Sequence, residues 1–141
     1  MTSKTNVIEF ARNADARGTL TVGEYPVSLP FEVRRFFLVK DVPPGETRGD
    51  HAHRECHQFL ICTHGQVEVT IRAHDDSTTA ISLDNADRGL HIPPLVWAQQ
   101  RYLTPDAMLL VFASHEYVDS DYIRDFEEYV ALQPASNAPT P

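Results

Sequence analysis

The sequence predicts an all-β fold, a barrel or double-sheet jelly roll, carrying a single late helix. Short stretches rich in β-branched and aromatic residues recur along the chain, turn residues separate them at close intervals, and one apolar stripe at helical spacing stands near the end. With 141 residues and 42% apolar content, the chain can bury a core without disulfide staples. A single domain over 1–133 and a Pro-rich flexible tail over 134–141 are expected.

The first strand signal is Gly18 to Tyr25 (GTLTVGEY), followed after Pro26 and Pro30 by Val33 to Val39 (VRRFFLV). His57 to Thr63 runs into His64-Gly65-Gln66, after which Val67, Val69 and Ile71 alternate with polar residues. This pattern predicts a hairpin with one buried face. His74 to Ser77 makes the next turn and Thr79 to Leu83 the next strand. Gly89 to Ile92, Val96 to Leu103 and the nearly continuous apolar run Ala107 to Ala113 complete the set. Asp119-Ser120-Asp121 supplies a helix start, and Ile123, Phe126, Tyr129 and Val130 supply the stripe.

Charge narrows the function. A formal net charge of -8 argues against broad binding of nucleic acid or anionic membrane. Ten of the twelve cationic residues are Arg, however, the side chain suited to a small bidentate anion site. Cys56 and Cys62 form no CxxC pair and read as buried small hydrophobes of a reduced, cytoplasmic protein. The N-terminus shows no apolar signal segment and no run approaches membrane-spanning length.

The densest polar segment is GETRGDHAH, residues 45–53. On a strand His51 and His53 face one side with Ala52 behind them, which suits either metal ligation or acid/base work near neutral pH. Five residues separate Gly45 from His51, four separate His53 from Gln58, and six separate Gln58 from Gly65. That spacing resembles the first motif of the cupin superfamily, with Gln58 in place of its Glu. The stretch from Gly89 to Gln99 resembles the second motif, with Gln99 in place of its His. Two imidazoles and two neutral amides are a weak set for a divalent transition metal, so metal-free chemistry is expected.

A closer resemblance runs over about residues 7–131. It is carried by Asp15-x-Arg17-Gly18, Pro30-Phe31-x-Val33-x-Arg35, Arg48-Gly49-x-His51-Ala52-His53, Gln58, Gly89-Leu90, Pro94-x-Val96-Trp97 and Asp121-Tyr122-Ile123-Arg124. Together these are similar to the WxcM-like small cupins, the dTDP-sugar 3,4-ketoisomerases. The resemblance implies a double-stranded β-helix and a homodimer without cofactor or metal. It also implies a dTDP-4-keto-6-deoxyhexose substrate, whose ketone moves from C4 to C3 during deoxysugar or aminosugar synthesis. It makes His51 and His53 the acid/base pair. Arg48, Arg35 and Arg17 become candidates for the pyrophosphate, and Gln58, His91 and Trp97 candidates for substrate contact.

The chain departs from the family pattern at Ala98, where relatives carry a polar side chain, and at Phe36-Phe37, where a phenol is common. His91 replaces an aromatic and Asp50 an apolar residue. A 3/5-epimerase, which would use the same carbon acid and reprotonate it from the other face, is one alternative; a nucleotide-sugar-binding protein without catalysis, motivated by the missing polar group at Ala98, is the other.

Overall fold

The computed structural model describes residues 5–132; the expected tail lies outside them. Twelve strands run in chain order: β1 (Asn6–Glu9), β2 (Ala11–Asp15), β3 (Gly18–Val22), β4 (Arg35–Val39), β5 (Thr47–His53), β6 (Gln58–His64), β7 (Val67–Arg72), β8 (Thr78–Leu83), β9 (Arg88–Ile92), β10 (Trp97–Tyr102), β11 (Met108–Ala113) and β12 (Tyr122–Ile123). One helix, α1 (Phe126–Leu132), follows. Two five-stranded antiparallel sheets, ordered β1-β9-β6-β11-β4 and β12-β5-β10-β7-β8, face each other, and β2 with β3 forms a separate hairpin. This is the jelly-roll architecture the strand spacing predicts.

The main core fills the space between the sheets. Leu60, Cys62, Leu90, Ile92, Leu109 and Val111 come from one sheet and Val67, Val69, Leu83, Ala98 and Tyr102 from the other. Each set follows the period-two alternation of its strand. A second cluster of Phe10, Phe31, Phe59 and Ile61 covers the outer face of the first sheet. Arg12 and Thr21 of the hairpin both bond to Asp87, at 2.8 and 3.0 Å, and so tie the hairpin to the body.

The sequence signals mislead at three places. The segments before and after Gly65 do not pair as a hairpin: β6 lies between β9 and β11, while β7 lies between β10 and β8. Gly65, at φ 68°, carries the chain across the core from one sheet to the other. A Cβ there would lie 2.8 Å from the Ala107 backbone, so the turn requires glycine. Alternating valines report one buried face, which two packed sheets supply as well as a hairpin does. The strand expected over 18–25 stops at Val22 and has β2 as its partner. The helix, finally, begins at Phe126. Asp119–Asp121 forms a single 3₁₀ turn, and Tyr122–Ile123 pairs with His53 and Ala52 instead of continuing as helix.

A seven-residue helix is too short to persist alone. Here Phe126 and Tyr129 pack on Trp97, with ring centroids 5.2 and 5.5 Å apart, in a third cluster with Ala52 and Ile123. This packing holds α1 and β12 against the back of β5, the strand that bears both histidines.

Candidate active site

A cavity of ≈ 210 Å³ opens between the sheets. Phe37, Leu60, Leu109 and Val111 give it an apolar wall; Arg48, His51, Gln58, Gln100 and Tyr122 give it polar groups. Few polar groups converging over an apolar surface is the usual make-up of a small-molecule site.

Strict alternation along β5 would send Arg48 and His51 to opposite faces, because they are three apart. A bulge prevents this. Opposite β10, Ala98 pairs with His51 and the next residue, Gln99, pairs with Gly49, so Asp50 is the extra residue. Gly49 and Asp50 both have left-handed backbone, at φ 85° and 66°. Asp tolerates that conformation better than most residues, and its carboxylate accepts a 2.9 Å bond from the Trp97 indole N–H on the outer side. Arg48 therefore turns into the cavity beside His51. Among the described residues no carboxylate pairs with Arg48, which leaves its guanidinium for an incoming anion.

His51 and His53 share the inner face, their ring centroids 5.0 Å apart and edge-on. His51 lines the cavity; His53, only 4% exposed, packs behind it. Tyr122 touches both rings, at 5.0 and 4.4 Å between centroids. Asp121 orients His53. Its carboxylate accepts the backbone N–H groups of Glu55 at 2.8 Å and Cys56 at 3.3 Å and sits 3.1 Å from His53 Nδ1. A carboxylate so surrounded by donors takes the Nδ1 proton as a third, which leaves Nε2 bare. Among the described residues that buried Nε2 has no hydrogen-bond partner, and an unsatisfied buried nitrogen is free to take a ligand or a proton.

Burial pushes the His53 imidazole down from 6.5 to about 4, and the neighbouring His51 adds to the effect; Asp121 opposes it without prevailing. Burial also lowers His51. His91 is likewise pushed down to about 4, by burial first and then by His57. In the unfolded chain these rings protonate near 6.5, so between that value and about 4 the unfolded state binds more protons. Stability must then fall as pH drops through this window. A melting temperature that stayed flat there would contradict neutral burial of His53 and His91.

The other candidates divide. Gln58 is buried on the cavity wall. Arg35 is half-buried at the start of β4, donates from Nε to the His115 carbonyl at 3.3 Å, and lies over the Phe37 and Tyr117 rings. Its charge reaches His53, whose proton affinity it lowers. Arg17 is not brought to the cavity by this chain: it stands on the β2–β3 hairpin, paired with Asp15 at 2.7 Å. His91 faces the opposite side of its sheet, beside Phe31 and 2.9 Å from His57 Nδ1, because Leu90 and Ile92 take the inner positions of β9. Trp97 also faces outward, in the packing cluster with α1. On β10 it is Gln100, not Gln99, that reaches the cavity, since Gln99 pairs with outward Thr70 and Gln100 with inward Val69.

Sequence reasoning missed Asp121, Tyr122 and Gln100. The first two sit in a segment whose acidic start signal reads as a helix cap, and only the β12–β5 pairing turns them toward the histidines. Phe37, by contrast, faces the cavity as one of the two departures from a phenol, while Phe36 points out.

A family model described as WxcM-like, C-terminal (FdtA), matches residues 3–134. The chain is 35% identical over 130 residues to the TDP-4-oxo-6-deoxy-alpha-D-glucose-3,4-oxoisomerase of Aneurinibacillus thermoaerophilus, covering 89% of this chain and 91% of that one. It is similar to the crystal structure of QdtA, a sugar 3,4-ketoisomerase of Thermoanaerobacterium thermosaccharolyticum in complex with TDP. The TM-score is 0.90 at 34% identity, over 97% of this chain and 99% of that one. A His-to-Asn variant of QdtA in complex with TDP-4-keto-6-deoxyglucose matches with a TM-score of 0.91 at 33% identity, over 99% of this chain and all of that one.

Proposed function

The chain belongs to the WxcM-like, C-terminal family, and we propose that it is a 3,4-ketoisomerase acting on a dTDP-linked 4-keto-6-deoxyhexose. The observation that carries this reading is the His51–His53 pair beside a cavity that also holds Arg48, which pairs with no carboxylate among the described residues. The similarity to ketoisomerases along nearly the whole chain supplies the reaction class.

Moving the ketone from C4 to C3 transfers one proton from C3 to C4 through an enediol(ate), while the hydroxyl proton passes from O3 to O4. Both transfers need groups that accept and return protons near neutral pH. His51 lines the cavity and meets the sugar; His53, held by Asp121 with Nε2 bare, is the second acceptor. Gln58 and Gln100 place amide donors where charge develops on the oxygens. The donors at hand, the His51 imidazole and two amides on the cavity wall with His53 behind, favour proton transfer without a metal. Arg48 takes the pyrophosphate, and Arg35 adds positive charge behind the histidines.

Incubation with dTDP-4-keto-6-deoxyglucose in heavy water, followed by NMR of the ring, tests the reading. The carbonyl is expected to move to C3 with deuterium entering the ring. Inversion of a stereocentre with the carbonyl fixed would make the protein an epimerase; no deuterium uptake would make it a binding protein. Arg48→Ala should raise the Kd for dTDP by about 10–100-fold, the scale of a lost charge-assisted hydrogen bond. Titration calorimetry checks this, and an unchanged Kd would remove Arg48 from the anion site.

The same reading includes a homodimer and a cytoplasmic place in deoxysugar synthesis. Phe36 and Leu38, 65% and 43% exposed, point outward from edge strand β4 and support self-association through that surface. Light scattering should give twice the 15.9 kDa chain mass. No helix among the described residues is long and apolar enough to cross a membrane.

A further inference from the structure

At His53 three unlike donors converge. A ring nitrogen of His53, the Cys56 sulfur and a carboxylate oxygen of Asp121 all lie within 4.8 Å of one another. Both His53 and Cys56 are buried, and Asp121 is half-buried. His53 Nδ1 and Asp121 Oδ2 stand 3.1 Å apart. Across a tetrahedral zinc, with bonds of about 2.0–2.1 Å to nitrogen or oxygen and about 2.3 Å to sulfur, donors stand roughly 3.3–3.6 Å apart. The three groups therefore need shifts of only about an ångström to close on an ion. Imidazole, thiolate and carboxylate together suit zinc and cobalt; the hard cations magnesium and calcium prefer oxygen alone.

The site is open from one side. A second cavity, of ≈ 190 Å³, is lined by Glu55, Glu116, Ser120 and Asp121 among others. Asp121 thus has one flank toward this outer cavity and the other on His53.

We propose that His53, Cys56 and Asp121 form an inhibitory site for zinc or a similar thiophilic divalent ion, distinct from the sugar cavity. The inhibition, though not the binding, rests on the ketoisomerase reading. An ion on Nδ1 displaces the hydrogen bond to Asp121 and confines the one remaining imidazole proton to Nε2. His53 then cannot accept a proton from the sugar side, and turnover stops although the cavity stays open.

Two measurements separate the site from the activity. Titration of the whole protein with cobalt(II), without substrate, should produce a thiolate-to-cobalt charge-transfer band. The band should persist in Cys62→Ser and vanish in Cys56→Ser and Cys56→Ala. In the activity assay, zinc should inhibit the parent protein. Both Cys56 variants should keep their basal turnover and need at least about 10–100-fold more zinc for the same inhibition, since a lost ligand costs no less than a lost outer-shell partner. No cobalt band, or a band that survives both Cys56 substitutions, would overturn the site. Equal zinc inhibition of parent and Cys56 variants would overturn its inhibitory role. A protein with the cobalt band but no ketoisomerase turnover would retain the metal site and refute the proposed function instead.

Discussion

His51→Asn and His53→Asn are each expected to lower ketoisomerase turnover by roughly 10²–10⁴-fold, the usual contribution of one positioned acid/base group. The dTDP affinity should stay close to that of the parent protein. Asn keeps a polar group of nearly the same reach, so β5, its bulge and Arg48 remain in place, while the titratable nitrogen is lost. Ring-proton NMR in heavy water reads the effect directly, because proton abstraction alone exchanges deuterium into the sugar even when product is not released. Full exchange in both variants would remove the pair from catalysis and leave Tyr122 as the next group on that wall. Loss of exchange in only one would divide their labour.

Asp121→Asn should cost nearly as much, for a different reason. The amide oxygen at the Oδ1 place still accepts from Glu55, but the NH₂ at the Oδ2 place gives up the long Cys56 N–H bond, donates to His53 Nδ1 and drives the ring proton onto Nε2. The wrong tautomer of an intact ring lowers kcat by about 10⁴ in the Ser-His-Asp enzymes, and we expect roughly 10²–10⁴ here with KM little changed. The pH profile separates positioning from mere support. Asp121 raises the proton affinity of His53, so its loss should move the acidic limb of kcat to lower pH. A variant that was only less stable would lose activity without moving the limb.

The architecture was legible where a residue pattern maps onto one structural cause. HxH with Ala between puts two rings on one side of a strand and a methyl on the other, and Ala52 is fully buried in the outer cluster as that pattern requires. The place of Arg48 on the cavity wall was legible only through resemblance, because strand alternation alone would have turned it outward. His91 and Trp97 were misplaced for the converse reason. Both lie near the second motif, yet each occupies an odd position on a strand whose even positions fill the core. Asp121 escaped because an acidic residue before an apolar stripe has a ready local explanation, and its real partner is 68 residues distant. Long-range pairing of this kind leaves no local trace.

The kink at Gly49 and Asp50 gives this strand something like a reading frame. Asp50 is the residue that alternation does not count, so Arg48 shares the inner side with the imidazoles although it stands three positions before His51. Deleting Asp50 should therefore straighten the strand and leave Arg48, then two positions before His51, on the inner side, while the Trp97 indole N–H loses its acceptor. One residue gained between Arg48 and Gly49, by contrast, would put the newcomer on the inner side and turn Arg48 outward, abolishing grip on the diphosphate with the imidazoles left in place.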